Sequence, residues 1–311
     1  MVPFHNILVP LDGSELAEKA LKPATQLAAS LARHAGADAP PIRLILLRVA
    51  TPMALMAADP VLFDEMIRMN VDEAQSYLQL TAQSVDAAPA LVETKVVTGS
   101  PADALIYFVE ENGIDLIVMS SHGRTGSRRW VYGSVAEKVM HHAPCATAII
   151  RAHVSVEMFQ NRKMLVPLDG SELAECALDP ALAIASAVQS ELLLLRVVAG
   201  REPLPEAMGP AGDEMAAALV EADALERTEA EAYLQRVHST HDNQHLFFDV
   251  QSTDGDIADA IVSYADSRNV DLIVISSHGR SGIGRWLHGS VAEKVLRGAN
   301  CATLIIRRGQ D

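Results

Sequence analysis

The chain has 311 residues, 49% of them hydrophobic and only 4% aromatic, and carries a formal net charge of −15. That length accommodates two domains of ordinary size with aliphatic cores. The acidic balance excludes nonspecific nucleic-acid binding, which needs a basic surface to displace counterions, and no run of about 18 apolar residues offers a membrane-spanning helix.

The opening Met1-Val2-Pro3-Phe4-His5-Asn6 lacks a basic region followed by an apolar one, and three cysteines do not make a disulfide framework. A cytoplasmic location is expected. Residues 6–10 read as a short apolar strand bounded by turn residues. A helix follows, with Ser14 as N-cap and Glu15 and Glu18 in its first turn. Leu16, Ala20, Ala24, Leu27 and Leu31 recur at helical spacing. Pro23 interrupts this helix and Pro180 its twin, which predicts a bend in each. Residues 42–49 and 191–197 are near-continuous apolar runs that suit strands buried on both faces of a parallel sheet. Longer excursions follow at 50–90 and 198–245, each opening as a loop and ending in a helix. The Pro-, Gly- and Glu-rich stretch 200–212 predicts a mobile loop.

Third strands are expected at 91–97 and 246–252, helices at 101–112 and 256–268, and fourth strands at 115–119 and 271–275. The next helices open at Gly133-Ser134 and Gly289-Ser290, before fifth strands at 146–150 and 302–306. Residues 152–160 are the expected linker. Strand–helix alternation of this kind predicts a parallel α/β sheet with right-handed crossovers.

The chain also states its motifs twice. Leu8-Val9-Pro10-Leu11-Asp12-Gly13-Ser14-Glu15 recurs as Leu165-Val166-Pro167-Leu168-Asp169-Gly170-Ser171-Glu172. Ser120-Ser121-His122-Gly123-Arg124 with Gly133-Ser134-Val135 recurs as Ser276-Ser277-His278-Gly279-Arg280 with Gly289-Ser290-Val291. The spacing, roughly 156 residues, marks a duplicated domain and not a short solenoid repeat. Each loop region is basic in an acidic protein: Arg124, Arg128, Arg129 and Lys138 face Glu137, and Arg280, Arg285, Lys294 and Arg297 face Glu293.

In an open α/β sheet, ligands bind outside the carboxyl ends of the strands. Asp12 and Asp169 follow the first strand there, Val49 and Val197 end the second, and segments 120–134 and 276–290 lead from the fourth into a helix. Together these can hold a nucleotide. Glycine admits a phosphate to the backbone, amides at a helix start attract anions, and a carboxylate accepts from ribose hydroxyls or an adenine amino group. Simpler roles stand beside each. Asp12-Gly13 also suits a turn, Ser134 with Glu137 and Ser290 with Glu293 also suit capping boxes, and His122 and His278 also suit loop-orienting roles. No nucleophile is paired with either histidine, so no catalytic residue is assigned.

Cys145 and Cys301 precede the fifth strands at equivalent positions and read as buried thiols, while the unmatched Cys176 is expected to pack in its helix. His238, His241 and His245 have spacing that fits one helical face, but their frayed polar setting assigns no metal. Met53, Met56, Met66 and Met69 suit core filling or a soft partner surface. Trp130 and Trp286 suit either a nucleotide cover or interdomain packing.

On these motifs the chain resembles a tandem universal stress protein over nearly its whole length. Nucleotide-binding members of that family carry Gly, two residues, Gly, nine residues, Gly and then Ser or Thr. The nine-residue spacers 124–132 and 280–288 and the terminal Gly-Ser pairs are kept here, whereas Ser120 and Ser276 replace the first glycine. The resemblance implies an α/β fold of two open five-stranded parallel sheets with helices on both faces, Rossmann-like and similar to adenine nucleotide alpha-hydrolases. The units would span residues 1–152 and 162–311, paired across their fifth strands as an intrachain pseudo-dimer.

It implies an adenine contact from the backbone near Val49 and Val197, and adenosine contacts from Pro10, Asp12, Pro167 and Asp169. It implies phosphate contacts from Gly123, Gly133, Ser134, Gly279, Gly289 and Ser290. Ser120, His122, Arg124, Val135, Ser276, His278, Arg280 and Val291 complete the candidate ligand shell. The implied function is binding of ATP, ADP or AMP, with or without magnesium, by a stress sensor or regulator that acts on an unidentified protein partner. No nucleic-acid or membrane partner is expected, and pairing of two chains is a further option. A slow ATP hydrolase and a nucleotide-free dimerisation or scaffold module are the alternatives. An adenylating enzyme is not favoured, because Leu11-Asp12-Gly13-Ser14-Glu15 lacks the Ser-Gly-Gly-x-Asp-Ser loop of such relatives.

Overall fold

The computed structural model describes residues 4–36, 38–51, 60–121, 132–151, 158–200, 209–241, 245–276 and 290–307. The first half runs β1 (Asn6–Pro10), α1 (Glu15–Glu18), α2 (Leu21–Ala35), β2 (Arg43–Ala50), α3 (Pro60–Gln83), β3 (Leu91–Thr98), α4 (Pro101–Glu111), β4 (Leu116–Ser120), α5 (Ser134–His142) and β5 (Ala146–Ile150). The second repeats it as β6 (Lys163–Pro167), α6 (Glu172–Glu175), α7 (Leu178–Val188), β7 (Glu191–Ala199), α8 (Gly209–Thr240), β8 (Leu246–Thr253), α9 (Ile257–Ser267), β9 (Leu272–Ser276), α10 (Ser290–Gly298) and β10 (Ala302–Ile306). Among the described residues, no helix is long and apolar enough to cross a membrane.

The expectation of two sheets is corrected. The strands form one ten-stranded sheet, ordered β3-β2-β1-β4-β5-β10-β9-β6-β7-β8. Each half is parallel within itself, and the halves meet antiparallel at β5 and β10, with Leu304 opposite Ala148. The pairing across fifth strands therefore stands, and it makes the two sheets continuous. The cause is compositional. Ala-Thr-Ala-Ile-Ile and Ala-Thr-Leu-Ile-Ile are buried at every position, and an apolar strand of this kind left at an edge would present unpaired backbone groups to other chains. Helix α2 packs on α7 across the same seam, and the core on that face runs unbroken through both halves. The opposite face carries two separate clusters, the first of which also takes in Leu296 and Ile305 of the second half.

The predicted bends at Pro23 and Pro180 are full breaks. The first predicted helix divides into α1 and α2, and its twin into α6 and α7, so each proline is the third residue of a new helix. A missing N–H costs little there, because the first amides of a helix have no intrahelical acceptor. The next amides, of Ala24 and Ala181, bond the carbonyls of Ala20 and Ala177 at 3.1 Å. Helix α8 begins at Gly209, inside the stretch expected to be loop. Pro210 in its first turn is compatible with that start. Of the expected linker, residues 152–157 lie outside the described residues.

Side chains tie the halves together. The Tyr132 hydroxyl and Arg151 Nη2 both donate to the Leu296 carbonyl, in the last turn of α10. Arg307 Nη2 donates to the Met140 carbonyl, in the last turn of α5. A cation at a helix C-terminus meets both free carbonyls and the negative end of the dipole. At the opposite end of the sheet, Asp115 Oδ2 accepts from the His5 and Asn6 amides, both at 2.8 Å. Asp271 Oδ2 accepts from the Asn161 and Lys163 amides at 2.9 and 3.4 Å.

Candidate functional site

The order β3-β2-β1-β4-β5 turns back between β1 and β4, which pair directly through Ile7 with Leu116 and Leu8 with Ile117. The second half repeats this between β6 and β9. Crossovers leave such a point toward opposite faces, so a crevice opens beyond the strand ends. The duplicated motifs lie on its two sides.

On the first side stands Asp12 or Asp169. Asp12 Oδ1 accepts from the amide and the hydroxyl of Ser14 at 2.9 and 2.6 Å, and Ser14 Oγ accepts from the Ala17 amide at 3.1 Å. Asp169, Ser171 and Ala174 repeat these bonds at 2.9, 2.5 and 3.1 Å. Gly13 and Gly170 lie between, at φ 81° and 79°, angles that a side chain resists. The serine caps are as expected. The turn is therefore present, and it holds a half-buried carboxylate at the crevice.

On the other side β4 ends at Ser120, which is buried, and β9 ends at Ser276. The Ser121 amide donates to the Ile150 carbonyl at 2.9 Å, and the Gly133 amide donates to the Ser121 carbonyl at 3.1 Å. The start of α5 is thereby tied to the end of β4. Gly133, not Ser134, is the N-cap, without a side-chain capping bond. Ser134 is the first helical residue and its side chain is exposed. The capping-box expectation for Ser134 and Glu137 is thus corrected by one residue of register, and α10 likewise starts at Ser290. Gly133 has φ −60°, open to any residue, so the backbone conformation does not demand glycine there.

The second half carries a cleft of about 380 Å³ at the crevice. Pro167, Asp169, Val197, Ser276, Ser290 and Val291 all line it, so six of the sequence-predicted residues converge from the ends of three strands, β6, β7 and β9, and a helix start. Ile257, Ile261 and Ile275 add an apolar wall. In the first half Pro10 and Val49 are half-buried in β1 and β2, and Val135 lies in the first turn of α5. Val49 and Val197 are not the last strand residues, since β2 and β7 run on to Ala50 and Ala199. His122, Gly123, Arg124, His278, Gly279, Arg280 and Gly289 lie outside the described residues, as do Trp130 and Trp286.

The basic patches are smaller than the sequence suggests. Lys138 pairs with Asp103 at 2.5 Å, and Lys294 pairs with Asp256, holding that carboxyl below its usual range. Arg297 pairs with Glu293 one turn earlier at 2.7 Å. Each of these cations is engaged within its own half. Cys145 and Cys301 are free and buried, and burial pushes both thiols up to about 12. His238 and His241 bond the carbonyls of Leu246 and Val237 at 3.0 and 2.8 Å. Among the described residues, no cluster of three His, Cys, Asp or Glu is placed to hold a metal.

Sequence reasoning passed over Arg196. It lines the cleft from β7, with Glu226 of α8 beside it. The available signal was a cation set in the aliphatic run Leu192-Leu193-Leu194-Leu195-Arg196-Val197-Val198, matched by Arg48 in the first half.

Comparison with known proteins agrees with this architecture. The universal stress protein family model matches residues 3–151 and again 160–307. Universal stress protein Rv2005c of Mycobacterium tuberculosis is 26% identical over 237 residues, 74% of each chain. Universal stress protein MJ0531 of Methanocaldococcus jannaschii is 28% identical over 149 residues, 48% of this chain and 82% of its own. A solved universal stress protein from Archaeoglobus fulgidus has the same fold, with TM-score 0.66 at 20% identity, over 98% of this chain and 99% of that one. Two successive matches that together take in nearly every residue place the chain in the universal stress protein family, as a tandem of two family units.

Proposed function

We infer that each half binds an adenine nucleotide, ATP, ADP or AMP, at its strand-end crevice, and that occupancy regulates binding to a protein partner. One observation carries this: six residues expected from the sequence line a single cleft in the second half. Its volume of about 380 Å³ lies within the roughly 300–1,000 Å³ of small-molecule sites. The cleft is chemically divided. Isoleucines 257, 261 and 275 offer an apolar wall for a base, Asp169 offers acceptors for ribose hydroxyls, and the start of α10 offers amides and the Ser290 hydroxyl to phosphates. The φ of Gly133 supports the same division in the first half: a glycine that the backbone does not require suits a point where ligand and main chain approach closely. Loops 122–124 and 278–280 belong to this assignment from sequence alone. A ligand that binds one loop arrangement better than another shifts the population toward it, and this is the basis of the regulatory role.

The test begins with protein purified and denatured without added nucleotide, and chromatography of what is released. Titration of refreshed protein with ATP follows, for wild type and for Gly133→Val combined with Gly289→Val. The double variant is expected to lose affinity about 10- to 100-fold, since each charge-assisted hydrogen bond contributes about 1.5–3 kcal/mol, with an unchanged circular dichroism spectrum. Unchanged affinity in that variant overturns the assignment.

A further inference from the structure

The second-half cleft does not end at the presumptive nucleotide. A second cavity of about 520 Å³ adjoins it, lined by Gly170, Arg196, Ala222, Leu225, Glu226 and Tyr233. Arg196 and Glu226 line both spaces and so mark their boundary. Ser290 and Val291, at the helix start, line only the smaller cleft. Gly170 directly follows Asp169. The larger cavity thus opens on the carboxylate side of the cleft, away from the start of α10 and against α8.

The side chains around this arginine differ between the halves. In the first half, Arg48 Nη2 donates to Glu73 at 3.1 Å and lies over the Tyr77 ring at 5.0 Å, with the Tyr77 hydroxyl donating to Glu18. The second half keeps the tyrosine bond, Tyr233 to Glu175 at 2.8 Å, but Arg236 takes the ring face at 5.4 Å. The first half has Leu80 at that position and Asn70 where the second has Glu226. With the ring face taken, Arg196 Nη1 donates to the Leu168 carbonyl at 3.4 Å and lines both cavities.

We propose that the second half accepts an adenine nucleotide enlarged at its ribose, with the added group seated in this cavity. The assignment rests on nucleotide occupying the neighbouring cleft as inferred above. With Asp169 as the ribose-side group, as in the proposed function above, a substituent on the 2′ or 3′ oxygen is the one that passes Arg196. Ala222 and Leu225 receive an apolar body, and the carboxylate of Glu229 accepts from N–H or O–H donors on it. The class is therefore a 2′- or 3′-substituted adenine nucleotide whose substituent combines apolar surface with a hydrogen-bond donor.

The test uses full-length chain carrying Gly133→Val, which silences the first half, and two probes: ATP and its 2′(3′)-O-(N-methylanthraniloyl) derivative. The derivative is expected to bind at least as tightly as ATP, with a rise in its fluorescence. Ala222→Trp, and separately Leu225→Trp, fill the cavity from the helix; each is expected to weaken the derivative at least tenfold and to leave ATP within twofold. Binding of ATP with rejection of the derivative by the parent chain overturns the proposal alone. Equal binding of both probes to the tryptophan variants also overturns it alone. Failure of both probes to bind overturns the nucleotide assignment and this proposal with it.

Discussion

The two halves share strand order, capping serines and the tyrosine–glutamate bond, and they part company around one arginine. Arg48 and Arg196 occupy the same place in their strands, yet Arg48 lies over its tyrosine ring, whereas in the second half Arg236 takes that ring face and Arg196 lines two cavities. The arginine itself has not changed. Its helix neighbours have: Leu80 against Arg236 and Asn70 against Glu226. A buried strand residue is held by packing on all sides, whereas a long charged side chain at a strand end goes where its partners are. Duplication has thus preserved the frame of the mouth and altered its furniture from the helix side.

The largest effects should come from the mouths themselves. Asp169→Asn keeps an oxygen to accept from Ser171 and removes the charge, so affinity in the second half should fall about 10- to 100-fold, as for loss of a charge-assisted bond. Asp12→Asn should do the same in the first half alone. Calorimetric titration of both variants shows whether the halves are separable; identical effects on all sites would break the comparison.

The seam offers a sharper contrast. The Leu296 carbonyl receives both Tyr132 and Arg151, while the Met140 carbonyl receives Arg307. Arg307→Ala should therefore cost about 2–3 kcal/mol in urea unfolding, and Arg151→Ala about 1 kcal/mol, because Tyr132 still satisfies its acceptor. Equal losses would contradict that asymmetry.

A smaller effect belongs to Asp271. Burial raises the pKa of Asp271, against the amides of Asn161 and Lys163 that lower it. A carboxyl raised in the folded state binds its proton more tightly there than in the unfolded chain. Its contribution to stability is complete below the unfolded value and is lost as pH climbs through the folded one. The non-titrating Asp271→Asn should therefore gain on wild type as pH rises from 4 to 7, while Asp271→Ala, which strands the amides, should cost about 1–3 kcal/mol at pH 7. Thermal melts across that range read both. The smallest effect is chemical: Cys145 and Cys301 are buried and pushed up to about 12, and Cys176 is half-exposed. A disulfide reagent at pH 8 should titrate one thiol before unfolding and three after.

Much of this was legible in the sequence because it is local. Apolar runs bounded by turns located every strand, with β1, β5 and β10 at their observed limits, and Ser14 announced its cap. What stayed hidden depends on partners distant in the chain. Nothing within the five residues of β5 says that β10 will cover it. The cap at Gly133 was assigned to Ser134 because serine is the stronger capping residue, yet the bond from the Gly133 amide to Ser121 fixes the register. Lys138 and Lys294 looked available to a ligand until Asp103 and Asp256, on neighbouring helices, were seen beside them. Arg196 went unnoticed because its importance lies in side chains on α8.

The central claim is that the crevice between β6 and β9 is an adenosine site with its phosphate end at α10. A crystal of the full chain grown with millimolar ATP and magnesium tests it most directly. The account predicts nucleotide density against Pro167, Asp169 and Val197, with the phosphates at the amides of Ser290 and Val291. A crevice filled by the chain's own side chains, or ATP bound only elsewhere on the surface, would contradict it.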